Sequence, residues 1–374
     1  MADTFYFSRD TKVHLTDSAN VVYNIPVLDG FSFSQATNTT EVTLNEMTNA
    51  SGVSRRARQM FTDSYAPAEW SFSTYIRPFA TGGGGSGGEH GGSAGDEHMV
   101  EEALWNALAG SGAVGASGAG FTTSASAGTI AFTNSNKAAL DTFTLTFEMG
   151  SGKSNPVIYS IANCVVNEVT VDFDIDGIAT AQWSGMGSII TETSSMPTAT
   201  RFEGTAAADT NNFIRNRLTD LTVTAASAGD IVTAYTLTLT GGNFTISNNM
   251  TYLTPETLGI VNQPLGHVTG TRSVSGAFTC YLNTPASGAS STDLFEDIIE
   301  STSVVTNSFN LIFVIGGTTT VSPKLTVTLP NCHLEVPTHS IDDLVSLETT
   351  FHALPTSVDA VDEVTLVSVG PTVT

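Results

Sequence analysis

Three stretches of this 374-residue chain carry residue types that could do chemistry. DFDIDG (172 to 177) spaces Asp172, Asp174 and Asp176 at alternate positions before a glycine, like the opening of a calcium-binding loop. Such a loop also needs a bidentate Glu at its twelfth position, which here is Trp183, and Phe173 and Ile175 between the acids suit a strand. EHGGSAGDEH (89 to 98) gathers Glu89, His90, Asp96, Glu97 and His98, but a glycine-rich loop fixes coordination geometry poorly. It reads as a solvated loop running into a helix N-terminus. SRRARQMF (54 to 61) places Arg55, Arg56 and Arg58, three of the 13 basic residues, within four positions.

Nothing else adds a reaction. There is no G-x-S-x-G elbow, no H-E-x-x-H, and no glycine run with the strand-to-helix context and Lys-Ser/Thr ending of a phosphate loop. Cys164, Cys280 and Cys332 fit no C-x-x-C pattern and read as small buried hydrophobes. The expectation is a chain with no catalytic residues, no metal and no cofactor.

Charge narrows the partners. Thirty-six acidic residues against 13 basic give a net charge of -23, which repels nucleic-acid phosphates and argues against an extended DNA-gripping face. In so acidic a chain, the partner at hand for the arginine cluster is another copy of the same protein. MADTFYFSRD has no basic region followed by an apolar run, and no 18 uninterrupted apolar residues occur. Neither signal-peptide secretion nor a membrane span is expected.

The elements that must hold these residues are mostly strands. YTLTLT (235 to 240) alternates Tyr235, Leu237 and Leu239 with threonine, and VTVDFDID alternates Val169, Val171, Phe173 and Ile175 with polar residues. Two stretches have helical spacing. In DEHMVEEALWNALAG the apolar set is Val100, Ala103, Leu104, Ala107 and Leu108; in STDLFEDIIES it is Leu294, Phe295, Ile298 and Ile299, behind capping candidates Ser291, Thr292 and Asp293. Each predicts a short amphipathic helix laid on a sheet.

The strands recur in order. FSTYI (72 to 76) matches FTCYL (278 to 282), DTFTLTF matches NSFNLIF, NCVVNEV (163 to 169) matches NCHLEV (331 to 336), and IDGIATAQ (175 to 182) matches IDDLVSLE (341 to 348). YFSRD resembles NFIRN, and DGFSFS resembles GGNFTIS. The chain is therefore a tandem duplication. We expect a first domain over 1–194 with glycine-rich insertions at about 80–97 and 110–135, a linker over 195–211, and a second domain over 212–374. The insertions read as mobile, outward-facing surface loops. His333, His339 and His352 have no histidine at the matching first-copy positions.

A mainly β, duplicated chain with V-x-x-I-x-x-L-D-G-F-S-F-S, then a long polar loop, W-S-F-S-T-Y-I-R-P, an amphipathic helix, a strand pair and I-D-G-I-A-T-A-Q-W-S-G-M-G resembles bacteriophage major tail tube proteins. It resembles in particular those with a duplicated tube domain. The resemblance covers almost the whole chain and rests on order and duplication. It implies two tandem tail-tube-like β-sandwich or barrel domains, each with one short flanking α-helix. It implies trimeric, pseudo-hexameric rings stacked into a hollow tube that conducts phage DNA into the host. Implied partners are further copies of the chain, tape-measure, terminator and baseplate or tip proteins, in some tails a sheath, and double-stranded DNA passing non-specifically through the lumen. The implied location is the virion tail, assembled in the host bacterial cytoplasm. Loops Asn38 to Ala68 and Asn249 to Arg272 would join rings, with Arg55, Arg56, Arg58, Met60 and Phe61 at the contact. The competing expectation is an adhesin-like surface β-sandwich; a carbohydrate-active enzyme would want paired carboxylates and cleft aromatics that Trp70, Trp105 and Trp183 do not provide.

Overall fold

The computed structural model describes residues 5–28, 30–42, 51, 58–82, 93, 95–133, 139–201, 211–225, 234–254, 264–284, 289–300, 309–317 and 323–373. Strands dominate them. The first half carries β1 (Thr11–Thr16), β2 (Val22–Asn24), β3 (Ser32–Glu41), β4 (Met60–Tyr75), β5 (Pro78–Thr81), β6 (Glu97–Met99), α1 (Glu102–Ala109), β7 (Phe121–Thr123), β8 (Gly128–Ala131), β9 (Phe143–Met149), β10 (Val157–Asp172), β11 (Thr180–Gly187) and β12 (Ile190–Thr193). The second carries β13 (Asp220–Ala225), β14 (Tyr235–Thr236), β15 (Thr238–Ser247), β16 (Thr251–Leu253), β17 (Gly266–Val268), β18 (Ser273–Tyr281), α2 (Ser291–Glu300), β19 (Phe309–Ile315), β20 (Lys324–Leu334), β21 (Thr338–Ile341), β22 (Val345–Ala353), β23 (Thr365–Val369) and β24 (Thr372–Val373).

The pairing order repeats. In the first half β1 lies between β2 and β9, the N-terminal part of β10 lies between β9 and β12, and the C-terminal part of β10 pairs with β11, then β4, then β3. In the second half β13 lies between β14 and β19, β20 between β19 and β23, and the end of β20 pairs with β22, then β18, then β15. Long strands β10 and β20 thus leave one sheet and enter the other. The transfer happens at register shifts, and Asn163, at φ 52, sits in the bend of β10. Asparagine tolerates that left-handed backbone where a β-branched residue would not.

Between the two sheets lies the core. Alternation puts Trp70, Phe72, Val169, Val171 and Trp183 inward from one sheet and Val13, Leu15, Leu145 and Phe147 inward from the other, all at most 2% exposed. Trp70 meets Phe143 edge-on at 5.8 Å; in the second half Phe313 packs against Phe173, Phe278 and Phe351. The three cysteines are free and buried within this core.

Four expectations change. The glycine and serine run over 110–128 is packed rather than mobile: it carries β7 and the start of β8, buries Ala113, Ala119 and Phe121, and is held by Asn106, whose side-chain oxygen accepts from the N–H groups of Gly120 and Phe121. Glycine serves here for close approach, since a Cβ on Gly110 would stand 2.1 Å from the Gly120 nitrogen. Nor does this insertion face outward alone: β8 pairs with β23 of the C-terminal strands, and β5, well before the insertion, pairs with β24. Residues 83–92 of the other glycine run lie outside the described residues. The first helix begins at Glu102, residues 97–99 being strand, and all eight of its residues are buried, so it fills the interior rather than lying on a sheet. In VTVDFDID the strand stops at Asp172, leaving Ile175 47% exposed, and YTLTLT is interrupted at Leu237. The second helix falls where its spacing predicts, over Ser291–Glu300.

Beside α1 lies a buried polar cluster. His98 Nδ1 is 2.7 Å from Glu102 Oε2, Glu97 accepts from the Gly370 N–H, Glu101 accepts from the Arg77 N–H, and the Arg77 guanidinium bonds Asn212. Burial pushes the Glu101 carboxyl up to about 7, against the lowering pull of Arg77. Burial alone would lower His98, yet the charge and hydrogen bond of Glu102 outweigh it and raise it.

Two predictions follow from this packing. Gly110→Ala keeps an ordinary backbone conformation but drives a methyl into the Gly120 backbone, and urea denaturation is expected to register a loss of about 2 kcal/mol or more. For pH, folded Glu101 holds its proton up to about 7, whereas in the unfolded chain it releases it near 4.5. The folded state therefore binds more protons in that window, and stability falls as pH rises through it. The raised His98 contributes with the same sign. Glu101→Gln is expected to remove about 3 kcal/mol of the change in unfolding free energy between pH 5 and 8; equal slopes for the two proteins would contradict this.

Candidate functional site: a continuous sheet with two free edges

The strands that follow the bends form a single antiparallel sheet across both halves. Its order is β3-β4-β11-β10-β15-β18-β22, completed by the end of β20 and by β21 along β22. The junction is the ladder between β10 and β15, where Val169 faces Ile246, Thr170 faces Thr245 and Val171 faces Phe244. Its alternation is ordinary strand chemistry: Val169, Val171, Phe244 and Ile246 are buried, while Thr170 and Thr245 point to the other face and share a hydrogen bond at 2.9 Å.

That other face is a carpet of small hydroxyls and acids. Ser32, Ser34, Glu69, Ser71, Ser73, Glu168, Asp172, Gln182, Thr279 and Glu348 stand on it at alternate positions. Neither Lys nor Arg occurs in β3, β4, β11, β15, β18, β21, β22 or the 163–172 part of β10. Burial lifts the Asp172 carboxyl above its usual value, and Asp174 adds repulsion.

Two edges remain without a strand partner among the described residues. At one end is β3; at the other is the line from His333 to Ile341, where Val336 is 56% and Ile341 83% exposed. Registers make these edges equivalents of the strands at the junction. Val165 faces Met186 as His333 faces His352, and Asp172 faces Thr180 as Ser340 faces Ser346. Phe33 faces Trp70 as Phe244 faces Gly276, the two pairs occupying the same place in the repeat.

From β3 and β4 a two-stranded arm runs out to Glu41 and Met60, with register shifts after Gln35 and Asn38. The expected contact residues fall on it unevenly. Met60 and Phe61 are 58% and 54% exposed at its outer end. Arg58 is not a waiting cation: its Nε bonds Glu41 Oε1 at 2.6 Å within the chain, which pulls Glu41 below the usual carboxylate range. Arg55 and Arg56 lie outside the described residues. The matching hairpin of the second half, β16 and β17, bends back onto the first half instead. There Met250 and Tyr252 pack with Val165, Leu140 and Met186, the Tyr252 hydroxyl donates to the Asn163 carbonyl at 3.1 Å, and His267 Nε2 accepts from the Leu140 N–H. The free edges and the asymmetry of the two hairpins had no signature in the sequence, although the matched strands NCVVNEV and NCHLEV mark where one edge lies.

Among the described residues no three His, Cys, Asp or Glu side chains gather as a metal site. Fold and surface together define a structural β-sandwich subunit whose exposed chemistry is a polar sheet face and two complementary strand edges. No family model matches the chain. It is 31% identical over 348 residues, covering 91% of this chain and 69% of the relative, to tail tube protein pb6 of Escherichia phage T5. The chain belongs to the bacteriophage major tail tube proteins, structural components of the virion tail. The adhesin-like alternative is not favoured.

The state of the edges is measurable on the free subunit. Outward backbone amides of residues 338–341 are expected to exchange orders of magnitude faster than those of Val169, Val171, Phe244 and Ile246, by hydrogen exchange and mass spectrometry. Equal protection would mean that the edge is covered within the chain.

Proposed function

We propose that three copies of the chain close into a ring by joining β3 of one copy to the His333–Ile341 edge of the next. The observation that carries this is the ladder between β10 and β15, a covalently linked version of the same junction. Transferring its register pairs Ser340 with Ser32, His339 with Phe33, Thr338 with Ser34 and Val336 with Ala36. Closure removes both free edges, which left open invite uncontrolled strand addition.

Three eight-stranded sheets make a barrel of twenty-four strands. At about 4.8 Å per strand the circumference is about 115 Å and the diameter about 37 Å before strand tilt widens it. That passes a DNA duplex. The Lys- and Arg-free face would line the bore, where its carboxylates repel phosphates and its hydroxyls offer no charge to grip. Rings then stack into the tube, with the β3–β4 arm reaching the adjacent ring and the terminal rings meeting the tape-measure, terminator and tip proteins. In this reading 1–194 and 212–374 are the two tube domains and 195–211 their linker.

Cysteines at Ser32 and Ser340 test the junction. Oxidised Ser32→Cys/Ser340→Cys assemblies are expected to run as covalent trimers on a non-reducing gel, with three-fold rings or tubes in negative-stain electron micrographs at high salt. Tubes without cross-links would refute the register; monomers at every salt would refute the ring.

A further inference from the structure

The duplication holds a second message about the ring, which rests on the reading above. Within the chain, the β16–β17 hairpin is seated on the first half: Met250 and Tyr252 lie on Val165 and Met186, the Met250 N–H donates to Asn167 Oδ1 at 3.0 Å, and the Asn248 N–H donates to the Asn167 carbonyl at 2.8 Å. The first-half arm is the repeat equivalent of that hairpin, with Thr39 and Glu41 matching Met250 and Tyr252, and Met60, which faces Glu41, matching His267, which faces Tyr252. In the free chain the end of that arm is open: Met60 is 58% and Phe61 54% exposed.

Its seat exists on the far edge of the molecule. By register the equivalents of Val165 and Met186 are His333 and His352, which face each other across β20 and β22, and the equivalents of Asn163 and Asn167 are Asn331 and Glu335. Glu335 Oε1 stands 3.8 Å from His352 Nε2. We propose that this His333–His352 surface is the docking site for the 39–41 and 60–62 segments of the β3–β4 arm of a neighbouring copy, which bends at its register shifts after Gln35 and Asn38 to lie on it. The occupant is a second copy because the same chain already makes the contact with itself, once, through covalent linkage.

The residue change has a physical reason. The in-chain seat is covered as soon as the chain folds, so it can be apolar: Val165 is fully buried. The open seat must tolerate water until a neighbour arrives, and imidazoles offer ring surface to Met60 while remaining hydrated in the free subunit. This assigns Met60, on the Thr39 and Glu41 face of the arm, to the contact within a ring, and leaves Phe61, which pairs with Thr40 on the opposite face, free for the contact between rings.

Thr39→Cys/His333→Cys places thiols at the equivalents of Met250 and Val165, while the native cysteines are buried and unreactive. Oxidised tubes of this variant are expected to cross-link between chains, and tubes of Thr39→Cys/Ser126→Cys are not, Ser126 being exposed in the turn between β7 and β8 and no part of the seat. Tubes that form but cross-link no more than this control overturn the seat and leave the ring standing; wild-type protein forming neither rings nor tubes overturns both. Should the double variant not assemble, hydrogen exchange of wild-type tubes against free subunits decides. Protection gained at 37–41, 60–62 and 331–335 is expected, and unchanged exchange there overturns the proposal.

Discussion

Everything in this molecule is arranged around the backbone hydrogen bonds of one sheet edge. A strand edge left open at the surface of a mainly β protein presents a row of unpaired N–H and C=O groups, and these will be paired by something. The chain satisfies one such edge itself, by laying β15 of the second half along β10 of the first. Because the halves are copies, pairing them head to tail leaves β3 at one end and the β20–β21 edge at the other. A duplicated unit joined this way carries both sides of its own junction outward. Any closed arrangement of copies can satisfy them with the same geometry.

Period-two alternation then sets the chemistry of the two faces without further design. Each strand of the long sheet must send every second residue into the sandwich core, and so Trp70, Val171, Trp183, Phe244 and Phe278 are fixed as large and apolar. The intervening residues face solvent, and at these positions the chain uses serine, threonine and acids to the exclusion of lysine and arginine. Small hydroxyls keep the face smooth and retain strand propensity. A chain of net charge -23 also repels its own copies, which opposes random edge pairing until neighbours are held in register.

How much of this could be read from the residues depended on whether the information was local. Alternation in YTLTLT and FTLTFEM, the spacing of STDLFEDIIES and the order of the repeats are local patterns, and they gave strand-rich halves and the second helix. The partner of β10 was not legible, because its ladder with β15 joins residues 71 to 79 positions apart and any other strand edge has the same hydrogen-bonding groups. The run at 110–128 misled for another reason. Glycine is written the same way in a flexible linker and in a backbone crossing such as Gly110 over Gly120, and only Asn106, which bonds both sides of that crossing, separates the two. Arg58 was visible as a cation, but its partner Glu41 lies 17 positions earlier in the chain, a pairing that composition does not reveal.

Divergence between the copies is the remaining clue, and it falls where their surroundings differ rather than at random. Both copies keep the buried cysteine of the bend and the asparagine before it, since Cys164 and Cys332 meet the same core. Three residues beyond each cysteine, Asn167 in one copy bonds the hairpin above it, while Glu335 in the other reaches His352. One position is closed over by the chain and the other is open. A copy whose surroundings are completed by its own chain can specialise its contacts at folding; a copy completed by a neighbour must remain compatible with water first and with the neighbour afterwards. On that logic the polar substitutions along His333, Glu335 and His352 mark the boundary between folding and assembly in this chain.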